Sequence, residues 1–153
     1  MSIELTSPAF QSGATIPKQY TADGEDKSPP LHWSEPPKTT KSLALICDDP
    51  DAPVGTWVHW VLFNVPAETR ELEEAVPTAE TLGNGAKQGK NDFSGIGYGG
   101  PAPPRGKPHR YFFKLYALDR TIDLSPGATS AQRVKAMKGH ILAEGQLVGK
   151  YGR

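Results

Sequence analysis

The sequence has a single cysteine, Cys47, among its 153 residues, so an intrachain disulfide is excluded. Cys47 stands inside an apolar run, and we expect a small buried core residue rather than a reactive thiol. Such sparing use of cysteine fits a reducing compartment, and we expect a cytoplasmic protein. Met1 is followed by polar and charged residues, which predicts that no secretory signal is present.

The sequence also lacks a long hydrophobic run and an excess of charge of either sign. No apolar stretch approaches the roughly 20 residues that a membrane-spanning helix requires. The 17 basic residues are balanced by 17 acidic ones without a basic cluster, so a nucleic-acid-binding surface is not indicated. At this length we expect residues 1–153 to form a single domain that buries roughly 70% of its unfolded surface.

Glycine and proline, in contrast, are abundant, with 16 and 15 residues. They separate apolar, β-branched and aromatic runs, which is typical of turns between strands. The pattern predicts a mainly β protein, a sandwich or barrel. The clearest predicted strands span 42–49, 57–65 and 109–119, and shorter extended segments are predicted within 2–10, 16–20, 31–33, 86–89 and 140–151.

Two helical segments are predicted among these strands. Residues 130–139 have Ser130 as a candidate N-cap, Val134 and Met137 as an apolar stripe, and Gly139 as a stop. A single helical turn is also expected near residues 68–74.

Alternation of side chains assigns the faces of the main strands. Residues 42–49 are apolar on both faces, which predicts a strand buried on both sides. In 109–119, His109 and Tyr111 lie at the loop end of the core face. In 57–65, one face is predicted to hold Trp57, His59, Val61, Phe63 and Val65.

Residues with useful chemistry collect at the ends of these strands. A hairpin between 42–49 and 57–65 would bring Asp49, Asp51 and His59 to one end of a sheet. A carboxylate beside a buried imidazole fixes its tautomer and favours its protonated form. Imidazole N–H groups, the Tyr111 hydroxyl and glycine N–H groups together make a donor set that suits a phosphate or carboxylate.

A long loop follows, residues 83–108, which contains eight glycines and four prolines. Loops of this length in compact domains are usually functional or disordered, and we expect this one to form a rim beside the histidines. Arg105 and Lys107 are expected to be solvated rim charges that could steer an anion. His32 and His140 are expected to be surface or packing residues.

Two chemical alternatives to anion binding stay open. Asp49 or Asp51 with His59 and His109 could bind zinc, although they lack the tight ligand spacing of common zinc motifs. A hydrolase would need a nucleophile, and Ser94 and the Ser28 region are candidates outside any Gly-x-Ser-x-Gly turn. Proton-linked anion binding needs neither, so we expect no metal, no cofactor and no catalysis.

Several segments, taken in their joint order, resemble the phosphatidylethanolamine-binding protein family, which includes the Raf kinase inhibitor proteins. The resemblance is greatest to the short bacterial and archaeal members. The matching segments are Ser28-Pro29-Pro30-Leu31-His32-Trp33, Asp49-Pro50-Asp51-Ala52-Pro53, Trp57-Val58-His59-Trp60 with Asn64 and Pro66, Gly97-Tyr98-Gly99-Gly100-Pro101-Ala102-Pro103-Pro104, His109-Arg110-Tyr111-Phe112, and the segment from Gly139-His140-Ile141-Leu142 to Gly149-Lys150-Tyr151.

The resemblance implies a sandwich of two antiparallel sheets with Greek-key connections and a small cavity that binds phosphate and phosphorylated head groups. Compared with the animal members, the turn between Pro53 and Trp57 is short, and we expect no counterpart of the C-terminal helix that borders their pocket. Carried over residue by residue, the ligand-binding positions are Asp49, Asp51, Pro53, Trp57, His59, Gly100, Pro101, Pro104, His109 and Tyr111.

The leading prediction is therefore a non-catalytic protein that binds a small phosphorylated or carboxylated ligand, such as a phospholipid head group. One alternative is an inhibitor of a protein kinase or protease that acts through the same pocket. The other is a metal-dependent or Asp/His hydrolase. A homodimer and peripheral contact with a membrane stay open.

Overall fold

The computed structural model describes residues 2–124 and 130–153, and these contain eight strands, one 3-10 helix and one α-helix. The strands are β1 (Leu5–Thr6), β2 (Leu31–Trp33), β3 (Ser42–Asp49), β4 (Trp57–Pro66), β5 (Glu71–Leu72), β6 (Lys87–Gln88), β7 (His109–Leu118) and β8 (Ile141–Tyr151). The 3-10 helix is Lys18–Tyr20, and the α-helix α1 is Ser130–Met137.

The strands form two sheets, and every pairing between the named strands is antiparallel. The smaller sheet has the order β1-β2-β5 and the larger has the order β6-β4-β3-β7-β8. In the larger sheet β7 returns to lie beside β3 instead of β6, which is the strand order of a Greek key. The sandwich and its Greek-key connection are thus confirmed.

The main core lies between the two sheets. Leu31 of the small sheet packs in one cluster with Leu45, Leu62 and Phe113 of the large sheet. A second, smaller cluster covers the other face of the large sheet, where Met137 of α1 is buried. All eight residues of β3 are buried, as their apolar character on both faces predicted.

Strand β4 does not alternate as predicted. Cys47 pairs with Trp60 and Asp48 pairs with Val58, so His59 is an extra residue in β4, which is the pattern of a β-bulge. A second register shift occurs near Asn64, whose φ is 55°. Trp60, Leu62 and Val65 consequently join the main core while Phe63 joins the second cluster, and the predicted common face of Trp57, His59, Val61, Phe63 and Val65 is wrong.

Two glycines of strand β8 lie where the first segment of the chain approaches closely. A Cβ atom on Gly145 would collide with the carbonyl oxygen of Ile3, and one on Gly149 would collide with the side chains of Ile16 and Phe10. The first segment of the chain therefore crosses β8 where β8 lacks side chains.

Three local predictions are wrong. Residues 68–74 contain strand β5, not a helical turn, because Leu72 is buried and pairs with Leu31 of β2. The extended segment predicted at 16–20 ends in the 3-10 helix. Val134 of α1 is 53% exposed, so it does not share the buried stripe of Met137.

The helix α1 is otherwise placed as predicted. Gly139, with φ of +82°, follows its end, but the Ser130 side chain that was expected to cap it lies outside the described residues. Within residues 2–124 and 130–153 no helix combines the length and apolarity needed to cross a membrane.

Candidate functional site

A cavity of about 220 Å³ opens at one end of the large sheet. Asp49 ends β3, and Trp57 and His109 begin the two strands that flank it. Because β4 and β7 both run antiparallel to β3, their first residues lie beside its last. The cavity is lined by Asp49, Ala52, Pro53, Val54, Trp57, His59, Phe93, Ala102, Pro103, Pro104, His109 and Tyr111.

His109 is oriented by Asp49. Its Nδ1 donates a hydrogen bond to Asp49 Oδ2 at 2.7 Å, and the two side chains are only 11% and 4% exposed. The other oxygen, Asp49 Oδ1, accepts a hydrogen bond from the Asp51 backbone N–H at 2.8 Å. Since Nδ1 is committed to the carboxylate, Nε2 is the nitrogen of His109 that is left for a ligand.

His59 is oriented by a backbone carbonyl instead. Its Nδ1 lies 2.6 Å from Gly99 O, and because a carbonyl oxygen only accepts, Nδ1 must carry the hydrogen. Burial lowers the pKa of His59, against the opposing effect of its hydrogen bond to Gly99. His59 therefore favours the neutral ring with an unprotonated Nε2. The bulge in β4 lets His59 line the cavity while its neighbour Trp60 stays in the core.

Two buried donors on the cavity wall have no hydrogen-bond partner among the described residues. They are the Tyr111 hydroxyl and the Trp57 indole Nε1. Tyr111 is 1% exposed, and burial raises the pKa of its hydroxyl, so it stays protonated. Buried polar groups are usually paired, so these two donors are exceptions within the described part of the chain.

The aromatic side chain of Phe93 closes one side of the cavity, although Phe93 was not among the predicted site residues. Its ring lies edge-on to Trp57 and to His59, with centroid distances of 5.5 and 5.2 Å. The Asn91 side chain fixes the turn that carries Phe93, because its Oδ1 accepts from the Phe93 N–H at 2.9 Å. The sequence feature that could have identified Phe93 as a cavity residue is its position as an aromatic residue in a glycine-rich loop. Ala52, Val54, Ala102 and Pro103 were missed as well.

The structure brings seven of the ten predicted ligand-binding residues into the cavity lining and places three outside it. Asp51 points to Arg110, with which it makes a bidentate ion pair at 2.9 Å. Gly100 donates its N–H to Asp26 Oδ1 at 2.7 Å, and Pro101 accepts from the Ala22 N–H at 3.0 Å. The seven lining residues are Asp49, Pro53, Trp57, His59, Pro104, His109 and Tyr111.

Among the described residues that line the cavity there is no serine, threonine, cysteine or lysine. Of the nucleophiles considered above, Ser28 is buried and its Oγ accepts from the Val76 N–H at 2.9 Å. Cys47 is buried, as predicted, and burial raises the pKa of its thiol. Among residues 2–124 and 130–153, no three His, Cys, Asp or Glu side chains are grouped as a metal site.

The chain is similar to known proteins over almost its whole length. A family model described as phosphatidylethanolamine-binding protein matches residues 6–152. A relative in Methanothermobacter thermautotrophicus, named only as a UPF0098 protein, is 53% identical over 151 residues, which cover 99% of each chain.

Two solved structures are similar over nearly the whole chain. Escherichia coli YbcL, described as a new member of the mammalian family, is 32% identical with a TM-score of 0.92, covering 100% of this chain and 99% of that one. A candidate phosphatidylethanolamine-binding protein homologue from Chlamydia trachomatis is 40% identical with a TM-score of 0.90, covering 99% and 98%.

Proposed function

The chain belongs to the phosphatidylethanolamine-binding protein family, and on that premise we propose that it is a non-catalytic protein that binds small phosphorylated ligands in the cavity between His59 and His109. The observation that carries the proposal is the pair of buried, unpartnered donors, Tyr111 Oη and Trp57 Nε1, on the wall that also holds both histidines.

The donor set matches a phosphoryl group. Phosphoryl oxygens accept hydrogen bonds, and Tyr111, Trp57 and a protonated His109 can each donate one. The only lining carboxylate, Asp49, already accepts hydrogen bonds on both of its oxygens. A ligand oxygen that reaches the other donors therefore meets a carboxylate whose two oxygens are already hydrogen-bonded.

His59 adds a proton-dependent contact. As a neutral ring its Nε2 accepts, which suits a phosphoryl group that still carries a proton. Protonated, the same nitrogen donates to a fully ionised group. In the second case the site takes up a proton when it fills, because the charged ligand opposes the effect of burial on the pKa of His59.

No serine, threonine, cysteine or lysine among the described residues lines the cavity, so the serine hydrolase considered above has no nucleophile there. Of the serines considered, Ser94 is not in the lining and Ser28 is buried against Val76. A binding protein needs only the donors and a shape that excludes competing water.

Substitution of His109 by alanine tests the proposal. His109→Ala should abolish binding of inorganic phosphate and phosphoethanolamine in titration calorimetry while circular dichroism stays unchanged. His32→Ala is the matched control, because His32 is 52% exposed and pairs with Glu71 away from the cavity. Unchanged phosphate affinity in His109→Ala would exclude the cavity as the ligand site.

A further inference from the structure

A second, larger cleft of about 540 Å³ adjoins the cavity. The two share the side chains of Pro104 and His109 as a common wall. Beyond that wall, the cleft is lined by Arg105, Lys107, Arg110 and Lys150, with Asp51 as the only carboxylate. The cavity and the basic cleft therefore lie on either side of Pro104 and His109.

The carboxylate of Asp51 offsets only one of these cations. Arg110 donates its backbone N–H and Nε–H to Asp51 Oδ2 and its Nη2–H to Oδ1, each at 2.9 Å. These bonds lower the pKa of Asp51 to about 2, so Asp51 is ionised near neutral pH. Among the described residues, no carboxylate lies within 4.0 Å of the charged nitrogens of Arg105, Lys107 or Lys150.

The strand register places two of the cations directly against each other. Arg110 of β7 pairs with Lys150 of β8, and like charges at directly opposed positions of an antiparallel pair are destabilising. Asp51 offsets the charge of Arg110 in this pair, so Lys150 is the member without a carboxylate partner among the described residues. Together with Arg105 and Lys107, Lys150 would attract an anion to the cleft.

We infer that this basic cleft is a second anion subsite and that the ligand class is a small molecule with two anionic groups. One phosphoryl group binds in the cavity on His109, and the second anionic group lies in the cleft near Lys107 and Lys150. The inference rests on the proposed function and specifies its ligand. Because the cleft cations are exposed, the contribution of the second group should fall as salt rises.

The test compares two matched series of probes by titration calorimetry at low ionic strength. The probes are alkane-diyl bisphosphates with two to six carbons and the corresponding alkyl monophosphates. For the chain length that spans both subsites, the bisphosphate should bind about tenfold more tightly than the monophosphate. Shorter and longer bisphosphates should lose part of that advantage.

Two charge-matched double variants test whether the tighter binding of the bisphosphate depends on the cleft. Lys107→Gln with Lys150→Gln should remove most of the bisphosphate advantage and leave monophosphate affinity within about threefold. Lys38→Gln with Lys41→Gln removes the same charge from two exposed residues that precede β3. Lys41 adjoins the first residue of β3, about 25 Å from Asp49 at its other end, so this double variant should leave both affinities unchanged.

The outcomes separate the inference from the proposed function. Monophosphate binding without any bisphosphate advantage, or an advantage that both double variants reduce equally, overturns the second subsite and leaves the cavity intact. Failure of the wild-type protein to bind either series overturns both.

Discussion

His109 donates its Nδ1–H to Asp49 at 2.7 Å, and this buried pair lies where β3 ends and β7 begins. A second pair of the same types, His140 and Asp119, has nearly the same distance, 2.8 Å, but its side chains are 36% and 44% exposed. The two pairs differ in burial and in their place relative to the cavity. This difference makes the second pair a control within the same molecule.

Asp49→Asn is expected to weaken phosphate binding about tenfold, because a neutral amide orients the His109 ring less well than a carboxylate. The exchange of a charge-assisted hydrogen bond for a neutral one should also lower the free energy of unfolding by about 1 kcal/mol. Calorimetry and urea denaturation measure the two effects. Asp119→Asn should change neither by a comparable amount, and equal loss of phosphate affinity in both variants would contradict the role given to Asp49.

Tyr111→Phe is expected to separate stability from binding. The Tyr111 hydroxyl has no partner among the described residues, so its removal should leave the free energy of unfolding unchanged or raise it by up to about 1 kcal/mol. Phosphate affinity should fall about fivefold, because one hydrogen bond to the ligand is lost.

Tyr98→Phe provides the comparison for that substitution. The Tyr98 hydroxyl donates to Tyr20 O at 2.6 Å, so its loss leaves a carbonyl unpaired and should cost about 1 kcal/mol of stability without changing phosphate affinity. A Tyr111→Phe variant as destabilised as Tyr98→Phe, with unchanged binding, would mean that the hydroxyl is structural.

Anion affinity is expected to rise as the pH falls from about 8 to 5. Burial holds the pKa of His59 below its ordinary value of 6.5, and a bound anion favours the protonated ring, so binding takes up a proton. Sulfate is the probe of choice because it does not titrate in this range. Affinity that stays flat across the range would exclude imidazole donors.

Without an anion, the lowered pKa of His59 predicts that the stability of the fold decreases as the pH falls, whereas anion affinity increases. Below the ordinary value of 6.5, an unfolded His59 is protonated while the folded one is still neutral. The unfolded state then binds more protons, so stability falls as the pH drops from that value towards the lower folded pKa. Thermal melts with and without sulfate measure the difference, and His59→Gln should remove the His59 share of it.

The residues of the site that lie on regular strands could be predicted from the sequence. Asp49, His109 and Tyr111 share one alternating face of β3 and β7, and the hairpin of β3 with β4 predicted which ends would meet. His59 was placed near the cavity, but the face assignment of β4 failed because both faces of that strand are apolar. Alternation then gives no sign of the bulge that shifts the register.

The rest depends on contacts that no local pattern encodes. Phe93 reaches the cavity through a turn that Asn91 holds by side-chain hydrogen bonds to the 93–97 backbone. The acidic segment around Glu71 has helix-forming residues, yet Leu72 is drawn into the core beside Leu31. Tertiary packing overrides local propensity around Glu71, whereas the turn before Phe93 is local, and the sequence does not give its direction towards the cavity.

If His59 and His109 line one anion site, a bound phosphate must affect both rings. Long-range proton–nitrogen NMR of the four histidine rings during a phosphate titration measures this. The account predicts saturable shifts of Nε2 in His59 and His109, with the same dissociation constant for both, and unchanged resonances for His32 and His140. Shifts of equal size in all four rings, or none in His59 and His109, would contradict it.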